Sequence, residues 1–145
     1  MILTKTIKSY AKINLYLNVG AKRPDGYHDV ESVMQQVTLF DYVTVLRDTD
    51  TTARGVKITC TDRLVPSDDR NIAAKCAMAF LDKYGIDSEV SISIDKRIPV
   101  AAGLAGGSSD AAATLKGLNV LFEQGASLSE LQALGIKLGA DGPYC

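Results

Sequence analysis

The chain alternates in its first third and takes up helical spacing in its second half. Ile13, Leu15, Leu17 and Val19 alternate with Asn14, Tyr16 and Asn18, the period-two pattern of a strand with one buried face. RPDGYH at 23–28 predicts a turn through its Pro, Asp and Gly. Residues 30–47 predict two further strands around the LFD triplet, the second carrying Val43 and Val45, and VKITC at 56–60 predicts a short one. Over 70–84 the period changes: Ile72, Cys76, Ala79, Phe80 and Tyr84 follow helical spacing, with Ser67, Asp68 and Asp69 available as caps and Gly85 as a stop. VSISI at 90–94 returns to alternation, with Val90, Ile92 and Ile94 on one face. Ala111, Leu115, Leu118 and Phe122 make a second helical stripe, closed by Gly125. Ser127 and Glu130 have the spacing of a capping box for a third helix through Leu131, Leu134 and Leu138, ended by Gly139. Strands gather early and helices late, so an α+β fold is favoured over a regular βαβ repeat.

Composition narrows the function. At 145 residues and 46% hydrophobic, the chain suits one domain with a single core. A net charge of −1 argues against broad binding to nucleic acid or to an anionic membrane, but not against a small anion held by local donors. Cys60, Cys76 and Cys145 are too few for a disulfide framework and lack zinc-ligand spacing, and the one histidine is His28. A reduced, cytoplasmic setting is therefore expected. No apolar run approaches the roughly 20 residues that span a bilayer, and the charged, alternating start is not expected to be a signal peptide. The final LGADGPYC has no polar tail, which suggests a shortened chain.

Between the 90–94 strand and the second stripe lies PVAAGLAGGSSDAA, residues 99–112. Helix N-termini carry unpaired N–H groups and a positive dipole end, which suit phosphate. Gly103, Gly106 and Gly107 allow close backbone approach and positive φ. Ser108 and Ser109 offer a cap, a phosphate contact or a magnesium ligand. The spacing is neither a Walker loop nor GxGxxG. On chemistry alone the stretch is either a plain helix cap or a cradle for a nucleotide triphosphate.

Three segments in order, AKINLYLNVGAKRPDGYHDVESVMQQV, ISIDKRIPVAAGLAGGSSDAAATLKGLN and LGADGPYC, resemble the GHMP kinases. Within them the nearest likeness is to the branch that phosphorylates a cytidine diphosphate conjugate of methylerythritol in non-mevalonate isoprenoid precursor synthesis. The resemblance implies an α+β domain, the GHMP kinase N-terminal domain with a ribosomal protein S5 domain 2-like fold, over residues 1–145. Such kinases are about twice this length, so it also implies that a C-terminal domain is absent from this chain. ATP and Mg2+ are the implied cofactors.

The resemblance places roles residue by residue. Asp141 matches the catalytic base, against a plain turn Asp before Gly-Pro. Lys12 matches a lysine that would stabilise ionised Asp141 and orient the hydroxyl, against a solvated edge lysine. Asn14, Tyr27 and His28 match substrate contacts, with Tyr27 stacking on cytosine and His28 bonding to the base. Asn71 and Lys96 match the adenine pocket, against a helix-start residue and a solvated charge. Pro99, Val100, Ala101, Ala102, Gly103, Leu104, Ala105, Gly106, Gly107, Ser108 and Ser109 would wrap the phosphates, and Ser109 is the candidate magnesium contact. Ala105 replaces the usual glycine, an added methyl tolerated at negative φ, and Gly142 replaces a branched apolar residue beside Asp141.

Two other readings stand beside this one: a GHMP kinase with another hydroxyl substrate, and a non-catalytic scaffold or nucleic-acid-binding module. In the kinase reading the isolated half binds nucleotide weakly and turns over little. It also exposes an apolar docking face open to self-association.

Overall fold

A computed structural model describes residues 1–139. Its elements in chain order are β1 (Ile2–Lys22), β2 (His28–Asp48), β3 (Gly55–Cys60), α1 (Ile72–Lys83), β4 (Glu89–Asp95), α2 (Gly106–Leu121) and α3 (Leu128–Lys137). The strands form a sheet in the order β1-β2-β4-β3, antiparallel except for the parallel β3–β4 pair. The expected α+β class holds.

β4 is a central strand, and its alternation reads as expected: Val90, Ile92 and Ile94 are all buried. They meet Val43 and Val45 of β2 and Ile58 of β3, and α1 and α2 close over them through Phe80, Leu81, Leu115 and Leu118. α2 lies so close to β2 that a Cβ on Gly117 would stand 2.8 Å from Val45 Cγ2.

Two strand expectations are corrected. Residues 30–47 do not form two strands around LFD: β2 runs unbroken from His28 to Asp48. Asp41 does not turn the chain, because its carboxylate is occupied by the backbone N–H groups of Arg97 and Ile98. The irregularity appears instead as a register shift, where β1 pairing jumps from Tyr10↔Phe40 to Lys12↔Gln36. Nor do Ile13, Leu15, Leu17 and Val19 share a buried face. A second shift, between Asn14 and Tyr16, inserts a bulge at Leu15. The register past it places Leu17 and Val19 with Val30 on one face, and Ile13 with Tyr16 and Val33 on the other. This part of β1 and β2 is a two-stranded ribbon, and Leu15, Leu17, Val19 and Val30 are each more than half exposed.

The helix caps also differ from expectation. α1 is capped by Asn71, whose Oδ1 accepts from Ala73 N at 2.9 Å. Asp68 accepts from the backbone and guanidinium of Arg70 instead. Gly85 follows at φ +61 as a stop. α3 has the capping box read from the sequence, with Ser127 N donating to Glu130 Oε2 at 2.8 Å and Glu130 N to Ser127 Oγ at 3.3 Å.

Replacing Gly117 with Ala tests how closely α2 sits on the sheet. At an open helix position the change would gain about 1 kcal/mol. Against the fully buried Val45 we expect overpacking to dominate, with a net loss of about 1–2 kcal/mol in urea unfolding.

Candidate functional site

The stretch between β4 and α2 gathers three residues with positive φ: Ala101 at 58°, Gly103 at 74° and Ala105 at 57°. They recur at every second residue, and left-handed residues in such alternation are a component of backbone anion-binding hollows. Positive φ was expected at Gly106 and Gly107, but both lie inside α2. Gly106 is required for another reason: a Cβ there would stand 2.7 Å from Lys96 Nζ and 3.0 Å from Ile98 Cγ2. Nothing within 4 Å would meet a Cβ on Gly107.

The loop forms one wall of a cavity of about 470 Å³, within the range of small-molecule sites. Pro99 to Ser108 line it, facing Leu64, Val65 and Pro66 and the start of α1 at Arg70, Asn71 and Ile72. Leu64 is exposed over four-fifths of its surface, so this wall is apolar and open. The N-cap of α2 is Ala105, which has no polar side chain to cap with, so neither Ser108 nor Ser109 stands at the N-cap position. The first N–H groups of a helix have no partner within the helix, and the residues that carry them here, Gly106, Gly107 and Ser108, line the cavity.

Ser109 does not line this cavity. It is buried, and its hydroxyl donates to the Tyr10 carbonyl at 2.8 Å. Among the described residues, no three His, Cys, Asp or Glu side chains come together to hold a metal ion.

Lys96 reaches the cavity wall but is neither a solvated charge nor an uncommitted adenine ligand. Its ammonium lies 2.6 Å from Asp41 Oδ2 and 3.0 Å from Asp110 Oδ2, with all three side chains at least 96% buried. Desolvation pulls the Lys96 pKa down, yet the two carboxylates outweigh it and hold it above its usual value. Asp41 accepts in addition from Arg97 N and from Ile98 N at 2.7 Å. Asp110 is less well served. Its Oδ1 has only a weak contact with the neighbouring Ser9 hydroxyl, which favours the ionised carboxylate. Burial pushes the Asp110 carboxyl up to about 6, the Asp41 charge adds to that, and Lys96 opposes it.

The sequence reading missed both Asp41 and Asp110. The signal was present for Asp41, which stands two residues before Val43 on the inward parity of β2. An inward carboxylate demands a cation, and Lys96 is its partner.

The structure places the other candidates in three groups. Asn71 lines the cavity as a fixed wall, since its Nδ2 donates to the Pro66 carbonyl at 2.8 Å while Oδ1 caps α1. Lys12 is tied to the loop by its backbone, N to Leu104 O at 3.1 Å, which fastens the sheet edge to the cavity wall. Asn14, Tyr27 and His28 sit on the ribbon and do not line the cavity. Tyr27 is three-quarters exposed, and His28 Nδ1–H donates to the Gly20 carbonyl at 3.1 Å. Asp141 and Gly142 lie outside the described residues.

Ala105 carries the corrected expectation of negative φ. At φ +57° its methyl is strained, by about 1–2 kcal/mol for an L-residue in the left-handed region. We expect Ala105→Gly to stabilise the fold by about 1 kcal/mol in urea unfolding without weakening occupancy of the cavity.

Similarity to known proteins agrees with this geometry. The family profile described as GHMP kinases N terminal domain matches residues 71–144, just over half the chain. A 4-diphosphocytidyl-2-C-methyl-D-erythritol kinase of Clostridium botulinum is 50% identical over 139 residues, covering 96% of this chain and 48% of the relative. One from Geobacillus is 50% identical, covering 96% and 47%. A crystal structure of 4-(cytidine 5'-diphospho)-2C-methyl-D-erythritol kinase superposes with a TM-score of 0.79 at 34% identity, over 97% of this chain and 48% of that one. The homoserine kinase of Cytophaga hutchinsonii shares the fold, with a TM-score of 0.65 at 21% identity over 92% of this chain and 40% of that one. The chain thus spans about half the length of the curated relatives it matches. Its glycine-rich loop opens α2 onto the cavity, the family profile covers that loop and both helices around it, and the chain belongs to the GHMP kinase family.

Proposed function

We propose that this chain is the nucleotide-binding half of an ATP-dependent kinase. Its acceptor is the methylerythritol hydroxyl of a cytidine diphosphate conjugate, on the non-mevalonate route to isoprenoid precursors in the cytoplasm. The observation that carries this is the cavity at the uncapped start of α2, walled by a loop that lies within the span matched by the GHMP kinase profile. Phosphates seat against the N–H groups of α2 and of the alternating positive-φ loop. The purine occupies the apolar side formed by Leu64, Val65 and Pro66. Magnesium enters with the nucleotide, held chiefly by its phosphates.

Phosphoryl transfer to a hydroxyl needs alignment and charge neutralisation more than covalent chemistry. In this reading Asp141 is the base and Lys12, anchored at the cavity wall through its backbone, is the cation beside it. Asn14, Tyr27 and His28 hold the cytidine conjugate on the ribbon. Residues 1–145 form the amino-terminal domain, and a second domain covers the ribbon and closes the cleft. In its absence a second copy covers the same apolar surface. No helix among the described residues is long and apolar enough to cross a membrane.

Four outcomes test this. Calorimetry of the 145-residue chain should show weak ATP binding that is lost when Gly107 is replaced by a bulky Val. In a chain extended to the relatives' length, Asp141→Ala should lower kcat by about 10²–10⁴-fold. Competition there should rank the cytidine conjugate ahead of homoserine and mevalonate, and preference for either competitor would reassign the substrate. Sedimentation of the 145-residue chain should reveal association that Leu17→Ser with Val30→Ser reverses.

A further inference from the structure

Asp110 sits in the second turn of α2, lines the cavity, and is only 3% exposed. The groups that face it are the Lys96 ammonium from the segment after β4, the Asp41 carboxylate from β2 and the Ser9 hydroxyl from β1, with the Cys60 thiol of β3 within electrostatic range. One cation thus serves two buried carboxylates, leaving the cluster at −1 directly behind an anion-binding helix start. Asp110 Oδ1 has only the Ser9 hydroxyl beside it, a weak contact that favours the ionised carboxylate.

We propose that Asp110 is a proton-linked determinant of polyphosphate affinity: a polyphosphate seated at the start of α2 brings a proton from solvent onto the Asp110 carboxylate. The inference rests on the reading of this cavity as a nucleotide site. Phosphate bound to the first N–H groups of α2 stands about one helical turn from Asp110, or roughly 5–6 Å. A unit negative charge at that distance, in an effective dielectric of about 20, raises a carboxyl's proton affinity roughly a hundredfold. Burial has already brought this carboxyl up to about 6, so the occupied site holds the proton at neutral pH and the empty site mostly does not. The step is carboxylate plus one proton to carboxylic acid, with no other bond changed. Ser9 Oγ accepts from the new O–H as readily as it donates to the carboxylate, and the cluster becomes neutral beside the bound anion.

The sign follows from linkage. The occupied site binds more protons, so affinity falls as pH rises between the proton affinities of the empty and occupied states, by up to about tenfold per pH unit. Calorimetry of the chain with inorganic triphosphate at pH 7, in two buffers of different ionisation enthalpy, should show uptake of about half a proton or more beyond that of Asp110→Asn. That variant keeps an acceptor for Lys96 and should bind triphosphate at least tenfold more tightly than the parent at pH 8. Equal uptake and parallel pH profiles in the two proteins would overturn the inference. Should the variant not fold, the carboxyl carbon resonance of Asp110 in labelled parent protein decides. It should move towards its protonated position on adding triphosphate at pH 7, and an unmoved resonance is the overturning result. Binding without proton uptake removes this inference alone, whereas no binding of triphosphate or ATP removes the nucleotide reading with it.

Discussion

The Lys96 ammonium between Asp41 and Asp110 is the contact on which the geometry of the cavity depends. It joins β2, the segment after β4 and α2 at one buried point. Gly106 has no side chain because that ammonium occupies the space a Cβ would need. The Arg97 and Ile98 N–H groups converge on Asp41, so the chain leaves β4 in one fixed direction and enters the loop. Removing one partner of such a buried set leaves an uncompensated charge, at a cost of about 3–5 kcal/mol. The loop has few apolar contacts of its own and takes its shape from this charged anchor on one side and from the Lys12–Leu104 backbone bond on the other.

The anchor also explains why a loop of small residues can hold strained dihedrals. Ala101 and Ala105 both lie in the left-handed region, which costs an L-residue energy that only surrounding structure can sustain. The loop is clamped at both ends, by Ile98 packed into the interior before it and by Ser109 bonded to Tyr10 after it. Between those clamps the backbone faces the cavity instead of the core.

Most of the fold was legible in the sequence. β4, the second helical stripe and the Ser127–Glu130 capping box follow from period and cap chemistry, because in each case local preference and burial agree. The ribbon was misread because a bulge at Leu15 is invisible to a count of alternating residues, and one inserted residue exchanges the two faces. LFD was misread because a turn and a strand-borne buried acid look alike when the partner lies more than fifty residues away. The cavity loop was legible as an anion cradle, yet its positive-φ positions fall on alanines as well as on glycine, against the usual preference. Asn71 was read in two ways, as a pocket residue and as part of a helix start, and its side chain serves both positions at once. Asp110 carries no sequence signal of its own, since its environment is made by residues from three other elements.

The strand order has a consequence for how the chain assembles. β4 stands between β2 and β3 but is made after both. Until residue 95 has emerged, β2 and β3 have no common neighbour, and the Val43, Val45 and Ile58 side chains wait without the strand that joins them. The hairpin of β1 and β2 forms from near neighbours in sequence, but the core closes only by inserting a late strand between two early ones. Such non-local pairing slows folding relative to a domain built in chain order. During synthesis the first sixty residues therefore remain two separate pieces, and commitment to the native sheet coincides with the arrival of the segment that carries Lys96.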